Sequence, residues 1–409
     1  MTATPSFKRS HISPWVVLKH AVRTARHPWI ASKLLKLEGE KTLFNALHPD
    51  HRRGKAGKIR QVSIRITDLC NLRCRTCGQW GTSGFLHGKD LKTLRRNEVP
   101  SGRYLDLLAD VARKGHHPSV YLWGGEPMLY DGILDVMAGA TALRMPVAVA
   151  TNGTHLAGSA RFLVDLPLFL LQVSIDGHRP DLHNRLRPST GNGDNFKQIV
   201  DGLEAVNEMR RRLGRDLPLI ASLTVISRDN AGHLEEIYDR FRDQVDFFVF
   251  YLSWWIDEEH AEAHETDFAG RFGFRPSLHR GWIGRWRPDD CELIERQLGK
   301  MTGRSRRRSN PPVTVIPPVR GVENLVSYYS DHGARFGYDQ CISIFQAVEI
   351  DSNGDLSPCR DYHDYVVGNV KEKTVSDLWN APAYRAFRRS LSREGLMPAC
   401  SRCCGLMGY

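Results

Sequence analysis

The sequence predicts an α/β protein: a partial (β/α)6 barrel of the TIM type, followed by a small domain of one β-hairpin and a helix. The first observation is a sixfold alternation of short apolar segments with helical patterns, which indicates a parallel sheet with right-handed crossovers. The second is that polar and glycine-containing motifs follow the predicted strands, where barrels of this type place their chemistry. The third is Asn353-Gly354, a typical hairpin turn in the C-terminal part.

The predicted strands show apolar alternation or short apolar runs, and the helices show apolar residues at helical spacing. The strands are predicted near Gln61–Ile66, Ser119–Trp123, Val147–Ala150, Phe169–Ile175, Leu219–Ile226 and Asp246–Leu252. The helices between them are predicted near Tyr104–Lys114, Ile133–Leu143, Ala160–Asp165, Phe196–Leu213 and Leu234–Arg242.

The composition is that of a water-soluble protein with an ample core. The chain has 409 residues, of which 41% are hydrophobic. No run approaches the roughly 18 apolar residues that span a bilayer, and Lys19, His20 and Arg23 interrupt any apolar core of a signal peptide. Nine cysteines, clustered and odd in number, fit metal binding in a reducing compartment better than disulfides. We therefore expect a cytoplasmic protein.

The net charge of +11 lies almost entirely in an N-terminal arm. Residues 1–60 hold 13 Lys and Arg against 3 Asp and Glu, and the other 349 residues hold 44 against 43. Ser13-Pro14 predicts a helix start, and Trp15, Leu18 and Val22 follow at helical spacing. A second helix is predicted from Trp29 to Leu37. We expect the arm to pack on the barrel, with peripheral membrane contact as the alternative.

Three cysteines follow the first predicted strand in the pattern Cys70-x3-Cys74-x2-Cys77. A loop of this length can place three thiolates around one metal centre. Iron–sulfur cubanes usually take four cysteines, so three leave one iron open, and an open position is where a metal site does chemistry. The alternatives are a structural zinc site with a distant fourth ligand, or three unrelated thiols.

A second group of cysteines, Cys341, Cys359, Cys400 and Cys403, lies near the C-terminus. The hairpin at Asn353-Gly354 brings the first two together, and a helical pattern from Val375 to Leu391 leads back to the last two. Four thiolates form a closed site, suited to a [4Fe–4S] cluster or to zinc. Cys404 competes with Cys403 as a ligand, and Cys291 is expected to be a plain buried thiol.

The first cysteine pattern resembles the cluster loop of the radical S-adenosylmethionine (SAM) enzymes. Gly124-Gly125-Glu126-Pro127 resembles the glycine-glycine-glutamate-proline motif of that family, and Ser174-Ile-Asp176-Gly177 is similar to the end of its fourth strand. His183 to Arg187 resembles its histidine-aspartate-x-x-arginine element. The chain departs from the family at Asn184, in place of aspartate, and at Thr76, where an aromatic residue is usual.

The resemblance, which covers Gln61 to about Leu252, implies the cofactors and the reaction type. The cofactors are a [4Fe–4S] cluster on Cys70, Cys74 and Cys77, and SAM. Reductive cleavage of SAM gives a 5′-deoxyadenosyl radical, which takes a hydrogen atom from the substrate. The residues expected to bind the cofactor are Gly124, Gly125, Glu126, Pro127, Asn152, Ser174, Asp176, Arg187 and Ser222.

The C-terminal group resembles the SPASM domain in its shortened form, called twitch. Gly354-x4-Cys359, Val367 to Val370 and Leu378-Trp379 carry this likeness. It implies an auxiliary [4Fe–4S] cluster on Cys341, Cys359, Cys400 and Cys403. Because all four irons would have a cysteine ligand, electron transfer is its expected role.

Four regions are expected along the chain. They are a basic helical extension (1–60), the radical SAM barrel (61–256), an irregular bridging or substrate region (257–340) and the auxiliary-cluster domain (341–409). Residues that are candidates for the substrate wall are Arg360, Asp361, His363, Trp254 and Trp255. The catalytic acid or base is not identified.

Three functions remain open from the sequence. The first is a redox-active radical SAM enzyme that oxidises or rearranges a small molecule such as a sugar, cyclitol or tetrapyrrole precursor. The second is a peptide maturase that forms a cross-link or thioether. The third is a non-catalytic iron–sulfur or zinc protein binding nucleic acid, which the barrel sequence disfavours because it lacks interleaved aromatic and basic residues. A reducing partner such as flavodoxin or ferredoxin is expected, and nucleic acid is not.

Overall fold

The computed structural model describes residues 27–28, 32, 39, 43–47, 49–284, 287–307 and 309–407. Apart from isolated positions, the predicted arm helices lie outside the described residues, so the packing of the arm and its membrane contact stay predictions. Within these ranges, no helix combines the length and apolar character needed to cross a bilayer.

One open sheet of ten strands organises the described chain. The strands are β1 Gln61–Thr67, β2 Ser119–Gly124, β3 Val147–Thr151, β4 Leu170–Ser174, β5 Leu219–Ile226, β6 Phe247–Leu252, β7 Val313–Ile316, β8 Ala347–Ile350, β9 Asp355–Ser357 and β10 Gly368–Asn369. Their order is β10-β9-β8-β1-β2-β3-β4-β5-β6-β7. Pairing is parallel from β8 through β1 to β7 and antiparallel within β8-β9-β10.

The helices of the described chain connect and cover these strands. They are α1 Phe44–Leu47, α2 Leu91–Asn97, α3 Ser101–Arg113, α4 Ile133–Ala142, α5 Leu156–Asp165, α6 Pro180–Leu186, α7 Asn195–Arg212, α8 Leu234–Phe241, α9 Glu258–Phe272, α10 Cys291–Ser305, α11 Val322–Ser330, α12 Val375–Trp379, α13 Pro382–Glu394 and α14 Cys404–Met407.

The two faces of the sheet differ in chemistry. On β1, Val62, Ile64 and Ile66 are fully buried in the main hydrophobic core, which they share with residues of α3 such as Leu108. Ser63, Arg65 and Thr67 alternate with them and lie on the opposite face, since successive side chains of a strand point to opposite sides. We call this second face the inner face of the barrel. It provides a buried polar surface beside the ends of the strands.

The predicted α/β fold is confirmed, with all six strands and all five helices within a few residues of their expected positions. The hairpin is not a separate sheet, however, because β8 pairs with β1 and extends the sheet of the barrel. The single helix predicted from Val375 to Leu391 is two helices. Pro382 begins the second one, since proline cannot donate the hydrogen bond that a helix interior requires.

The expectation of irregular structure over residues 257–340 is wrong. The stretch holds α9, α10 and α11, and β7 pairs in parallel with β6 as a seventh barrel strand. The prolines Pro311, Pro312, Pro317 and Pro318 flank β7, where they interrupt no helix. α10 buries Ile294 and Leu298 in the main core. The four regional boundaries stay a prediction.

Candidate functional site

The loop from Cys70 to Cys77 begins three residues after β1 ends. The C-terminal end of α6 and the segment after it support this loop, because the backbone N–H groups of Arg73 and Arg75 donate to the carbonyls of Pro188 and Leu186 at 2.8 and 2.9 Å. These bonds curl the loop over the ends of the strands. The loop is therefore built by contacts between distant parts of the chain.

The three thiols of this loop lie close enough to influence one another. Burial, and then the neighbouring Cys74, raise the pKa of Cys70. Burial also raises the pKa of Cys74 to about 11; Arg187 opposes this effect and Cys77 adds to it. Grouped thiols that resist ionisation become thiolates when a cationic centre binds, because metal binding releases their protons. The three residues thus fit a positively charged iron cluster.

Arg187 and Asp176 form a buried ion pair next to this loop. Nε of Arg187 donates to Oδ2 of Asp176 at 2.6 Å, and its Nη1 donates to Sγ of Cys74 at 3.6 Å. The other carboxylate oxygen of Asp176 accepts the N–H of Val225 at 2.9 Å. The structure therefore brings both predicted SAM-binding residues to the cysteine loop. Their contact with SAM stays a prediction.

Gly124 and Gly125 lie against the backbone that leads to the cysteines. A Cβ on Gly124 would lie 2.3 Å from the carbonyl oxygen of Thr67, and one on Gly125 would lie 2.2 Å from that of Leu69. The N–H of Gly125 donates to the first of these carbonyls and the N–H of Glu126 to the second, both at 2.8 Å. The requirement for glycine visible here is thus close approach of the backbone to the cysteine loop.

Glu126 is fully buried and already bonded to protein. It accepts the N–H of Asn152 at 2.6 Å, the hydroxyl of Thr151 at 2.7 Å and the N–H of Met128 at 3.1 Å. Burial raises its pKa, and these hydrogen bonds act in the opposite direction. An ionised carboxylate offers about four acceptor positions, so one remains for a cofactor donor. Pro127 follows it and starts the short 3₁₀ helix Pro127–Leu129.

The remaining predicted cofactor residues differ in their surroundings. Nδ2 of Asn152 donates to Oδ1 of Asn71 at 2.8 Å, which ties β3 to the cysteine loop. Ser174 ends β4 and is half-buried. Ser222 lies on the opposite face of β5 from Ala221 and has no hydrogen-bond partner for Oγ among the described residues. This orientation gives the predicted cofactor contact of Ser222 no support.

The C-terminal cysteines gather as a second group. Burial raises the pKa of Cys341 to about 11, and the pKa of Cys400 is raised by burial and then by Cys359 and Cys341. The pKa of Cys403 is raised chiefly by a hydrogen bond with Cys359. This group has the four thiols that a closed cluster needs. Their role as ligands stays a prediction.

The thiol of Cys404 bonds to an aspartate and not to another cysteine. Its Sγ donates to Oδ1 of Asp361 at 3.0 Å, and its backbone N–H donates to Oδ2 at 2.9 Å.

In the described ranges, no three His, Cys, Asp or Glu side chains converge closely enough to hold a single metal ion. A cubane differs from a single ion in taking one thiolate per iron.

Two of the residues predicted to line the substrate site lie at the inner face of the barrel. The ring of His363 stacks on Trp123 with centroids 6.1 Å apart, and the guanidinium of Arg360 lies 5.5 Å from the ring centroid of Tyr121. Trp255 packs elsewhere, against His332 with centroids 4.9 Å apart. Asp361 binds Cys404, and Trp254 is half-buried in contact with the main core.

A buried network that sequence reasoning missed lies between the two cysteine groups. Nε of Arg65 is 3.2 Å from Oδ1 of Asp68, its Nη2 is 3.4 Å from Oδ2 of Asp351, and the hydroxyl of Ser352 donates to Asp68 at 2.7 Å. The available signal was a charged residue, Arg65, inside a predicted barrel strand, because a charge is rarely buried without a partner.

An open parallel barrel with three cysteines after its first strand and a further group of cysteines near its C-terminus is the arrangement expected of an iron–sulfur protein of the α/β class. Comparison with known families gives the particular one. The radical SAM superfamily matches residues 64–241, and SPASM, an iron–sulfur cluster-binding domain, matches residues 341–404. The chain therefore combines a radical SAM domain with a SPASM domain. The radical SAM domain implies a [4Fe–4S] cluster and SAM as cofactors, and the SPASM domain implies auxiliary iron–sulfur clusters.

Individual relatives and solved structures extend this comparison. Pre-heme d1 synthase of Dinoroseobacter shibae is 25% identical over 351 residues, 82% of this chain and 77% of the relative. GTP 3',8-cyclase of Limosilactobacillus fermentum is 29% identical over 150 residues, 36% of this chain and 42% of the cyclase. Streptococcus suis SuiB bound to the precursor peptide SuiA has a TM-score of 0.58 at 16% identity, covering 88% of this chain and 73% of SuiB. anSMEcpe with bound AdoMet has a TM-score of 0.54 at 18% identity; the match covers 85% of this chain and 87% of anSMEcpe. The solved structures show likeness of fold.

Proposed function

We propose that this protein is a radical SAM enzyme that removes a hydrogen atom from a small molecule bound at the inner face of the barrel and oxidises or rearranges it. One observation carries the proposal. The segment from Cys359 to His363 runs from the C-terminal cysteines to the inner face, where Arg360 donates to Oε1 of Glu349 at 3.0 Å. A substrate at this face would lie between the two cysteine groups.

The residues of the chain divide the work. Cys70, Cys74 and Cys77 would hold the cluster that, with SAM, supplies an organic radical when bound. Arg187 neutralises charge beside Cys74, and Glu126 holds the ends of the neighbouring strands together. The buried inner face excludes water, which protects a reactive intermediate from side reactions. An auxiliary cluster on Cys341, Cys359, Cys400 and Cys403 would supply electron transfer.

The choice of a small molecule rests on the relatives. Pre-heme d1 synthase, matched over most of its length, is named for a tetrapyrrole product, and this favours a substrate of that size. The peptide alternative draws on SuiB, which was solved with a precursor peptide but resembles this chain in fold alone. We place the enzyme in the cytoplasm, with flavodoxin or ferredoxin as its reductant.

The first experiment measures iron and SAM cleavage. Anaerobic reconstitution should give roughly eight irons per chain, and replacing Cys70, Cys74 and Cys77 by Ala should leave about four. The wild type, with dithionite and SAM, should slowly form 5′-deoxyadenosine, and the triple variant should form none. Cys291→Ala, a buried thiol outside both groups, is the matched control. Zinc in place of iron, or cleavage that survives in the triple variant, would contradict the proposal.

A further inference from the structure

One strongly basic surface is formed by residues 49–60 and helix α13, and we call it the basic face. The two segments hold nine Lys and Arg against two Asp and Glu, so they account for seven of the eleven net positive charges of the chain. The exposed cations are Arg52, Arg53, Lys55, Lys58 and Arg393, and the half-buried ones are Arg60, Arg385 and Arg389. Like charges concentrated on one face create a local potential that attracts a partner of opposite charge.

A buried arginine of α13 fixes the two segments to each other. Arg388 is fully buried, and its Nη1 donates to the carbonyl oxygens of Trp379 at 2.9 Å and of Gly54 at 3.4 Å. Its guanidinium also lies 3.7 Å from the ring centroid of Tyr384. Gly54 is packed so closely on the helix that a Cβ there would overlap the carbonyl oxygen of Arg385. The exposed cations around Gly54 are therefore held in place against α13.

The two acidic residues of these segments do not cancel this charge. Asp50 lies 3.7 Å from Arg53, with side chains 54% and 82% exposed, and Glu394 lies 3.8 Å from Arg271, a cation outside the two segments. The preceding residues 1–48 hold eight Lys and Arg against two Glu, so the sequence that leads into the basic face has the same sign. An acidic partner would therefore meet an excess of cations here.

Direct contacts connect the basic face to the C-terminal cysteines. Nε of Arg388 donates to the carbonyl oxygen of Ile344 at 2.8 Å, and the ring centroids of His51 and Phe345 are 6.3 Å apart. Ile344 lies three residues after Cys341, which is half-buried. Three residues of chain span at most about 11 Å. The basic face thus lies a short distance from the cysteine group for which electron transfer is proposed.

The residues of the basic face distinguish between classes of acidic partner. Single-stranded nucleic acid stacks its bases on aromatic side chains, but the tyrosine and phenylalanine of these segments, Tyr384 and Phe387, are buried. Helices that bind an anionic membrane insert apolar residues, and the exposed large apolar residues of the described chain lie outside both segments. A charged face without apolar anchors, placed beside a redox site, suits the small and weak interfaces that electron carriers form.

Resting on the proposed function, we infer that the basic face is the docking surface of an acidic one-electron carrier of the flavodoxin or ferredoxin class. The carrier is oxidised by one electron at each productive encounter, a cluster on the C-terminal cysteines would accept this electron, and no atom is transferred. Complementary charges speed such encounters, so added salt should weaken them. The reductant would therefore approach from the side of the auxiliary group.

The test measures binding of oxidised flavodoxin, and separately of a ferredoxin, to anaerobically reconstituted full-length enzyme by surface plasmon resonance. The basic-face variant combines Arg53→Glu, Lys55→Glu and Lys58→Glu. It should bind both carriers about tenfold or more weakly than the wild type, with most of the loss in the association rate, because steering by charge acts on that rate. The wild-type affinity should fall as salt is raised, and the affinity of the variant should change much less.

The matched control variant combines Arg211→Glu, Arg212→Glu and Arg215→Glu. It makes the same change in net charge at exposed positions at the end of α7, which connects β4 to β5, several strands away from β8 in the sheet. At about 0.1 M salt the Debye length is about 10 Å, so the control should bind within about twofold of the wild type. Iron content and melting temperature show whether each variant is folded and loaded. A milder variant with Gln at the three basic-face positions is measured in parallel and should show an intermediate loss.

The remaining outcomes each have a definite meaning. Equal affinity of the wild type and both basic-face variants, or an equal loss in the control, would overturn the inference. Wild-type enzyme that binds neither carrier would overturn it as well, as would tighter binding of DNA or of phosphatidylserine vesicles that the basic-face variant abolishes. Carrier binding as expected, without any 5′-deoxyadenosine from the wild type under dithionite and SAM, would support the docking surface and refute the proposed function instead.

Discussion

Replacing Arg187 by Met should destabilise the protein far more than removing an exposed arginine. Arg187 and Asp176 are 2.6 Å apart, with side chains 11% and 4% exposed. Burial alone would lower the pKa of Arg187, but Asp176 and Cys74 raise it overall, so the guanidinium stays charged in the fold. Arg187→Met leaves the carboxylate of Asp176 buried with only the N–H of Val225 as a partner.

The expected size of this effect follows from the burial. Breaking a buried pair by removing one partner costs about 3–5 kcal/mol. With an unfolding entropy of about 2.1 cal/mol/K per residue, a chain of 409 residues that unfolds cooperatively should melt about 3–6 °C lower. The control is Arg161→Met, since Arg161 and Asp165 form an exposed pair at 3.4 Å. Exposed pairs contribute at most about 1 kcal/mol, or roughly 1 °C here.

Thermal unfolding of anaerobically reconstituted protein measures the difference, with iron counted in each sample. Protein prepared without iron separates the ion pair from any effect on the cluster, because Arg187 also contacts Cys74. Adding Asp176→Asn to Arg187→Met should recover part of the loss, since no unpaired charge then remains. Equal melting of Arg187→Met and Arg161→Met in both preparations would refute the reasoning.

Two further changes test the surroundings of the site. Gly125→Ala should lower both the melting temperature and the iron content, because the new Cβ would lie 2.2 Å from the carbonyl oxygen of Leu69. The control is Gly158→Ala, at an exposed helix position with open space around it, which should stabilise the protein by about 0.5–1 kcal/mol. Burial raises the pKa of Asp351 to about 6 from an ordinary 3.8, so the folded state holds this proton more tightly than the unfolded chain. Stability should therefore fall by up to about 3 kcal/mol as pH rises from about 4 to 6. Asp351→Asn should remove this loss, and the exposed control Asp165→Asn should keep it. Melting curves at pH 4.5 and 7 measure the loss in each protein. The same change in melting temperature between these pH values for wild type and Asp351→Asn would contradict the prediction.

The parts of the site that were predictable from sequence are those encoded by neighbouring residues. The pattern Cys70-x3-Cys74-x2-Cys77 and the run from Gly124 to Pro127 each lie within one strand-to-helix connection, so spacing alone carries them. Strand β1 was predictable because polar and apolar residues alternate along it with period two, and several other strands were predictable as short apolar runs. Prolines near β7 misled the prediction for 257–340, since proline at the end of a strand reads like proline in an irregular segment.

The remainder depends on contacts between residues far apart in sequence. Spacing treats Cys403 and Cys404 as alternatives, whereas in the structure Cys403 bonds to Cys359 and Cys404 bonds to Asp361. The role of Gly125 depends likewise on Leu69, 56 residues earlier, whose carbonyl occupies the space of a side chain. Neither fact has a local sequence signal.

The same long-range contacts join the two cysteine groups into one site. Asp68 lies two residues before Cys70, and Ser352, which donates to it, lies in the hairpin that leads to Cys359. Arg65 ties the carboxylates of Asp68 and Asp351 together from the strand between these segments. Because all of these side chains are buried, displacing one cysteine loop would leave charges on the other side unpaired. The geometry of the inner face is therefore set by both cysteine groups together.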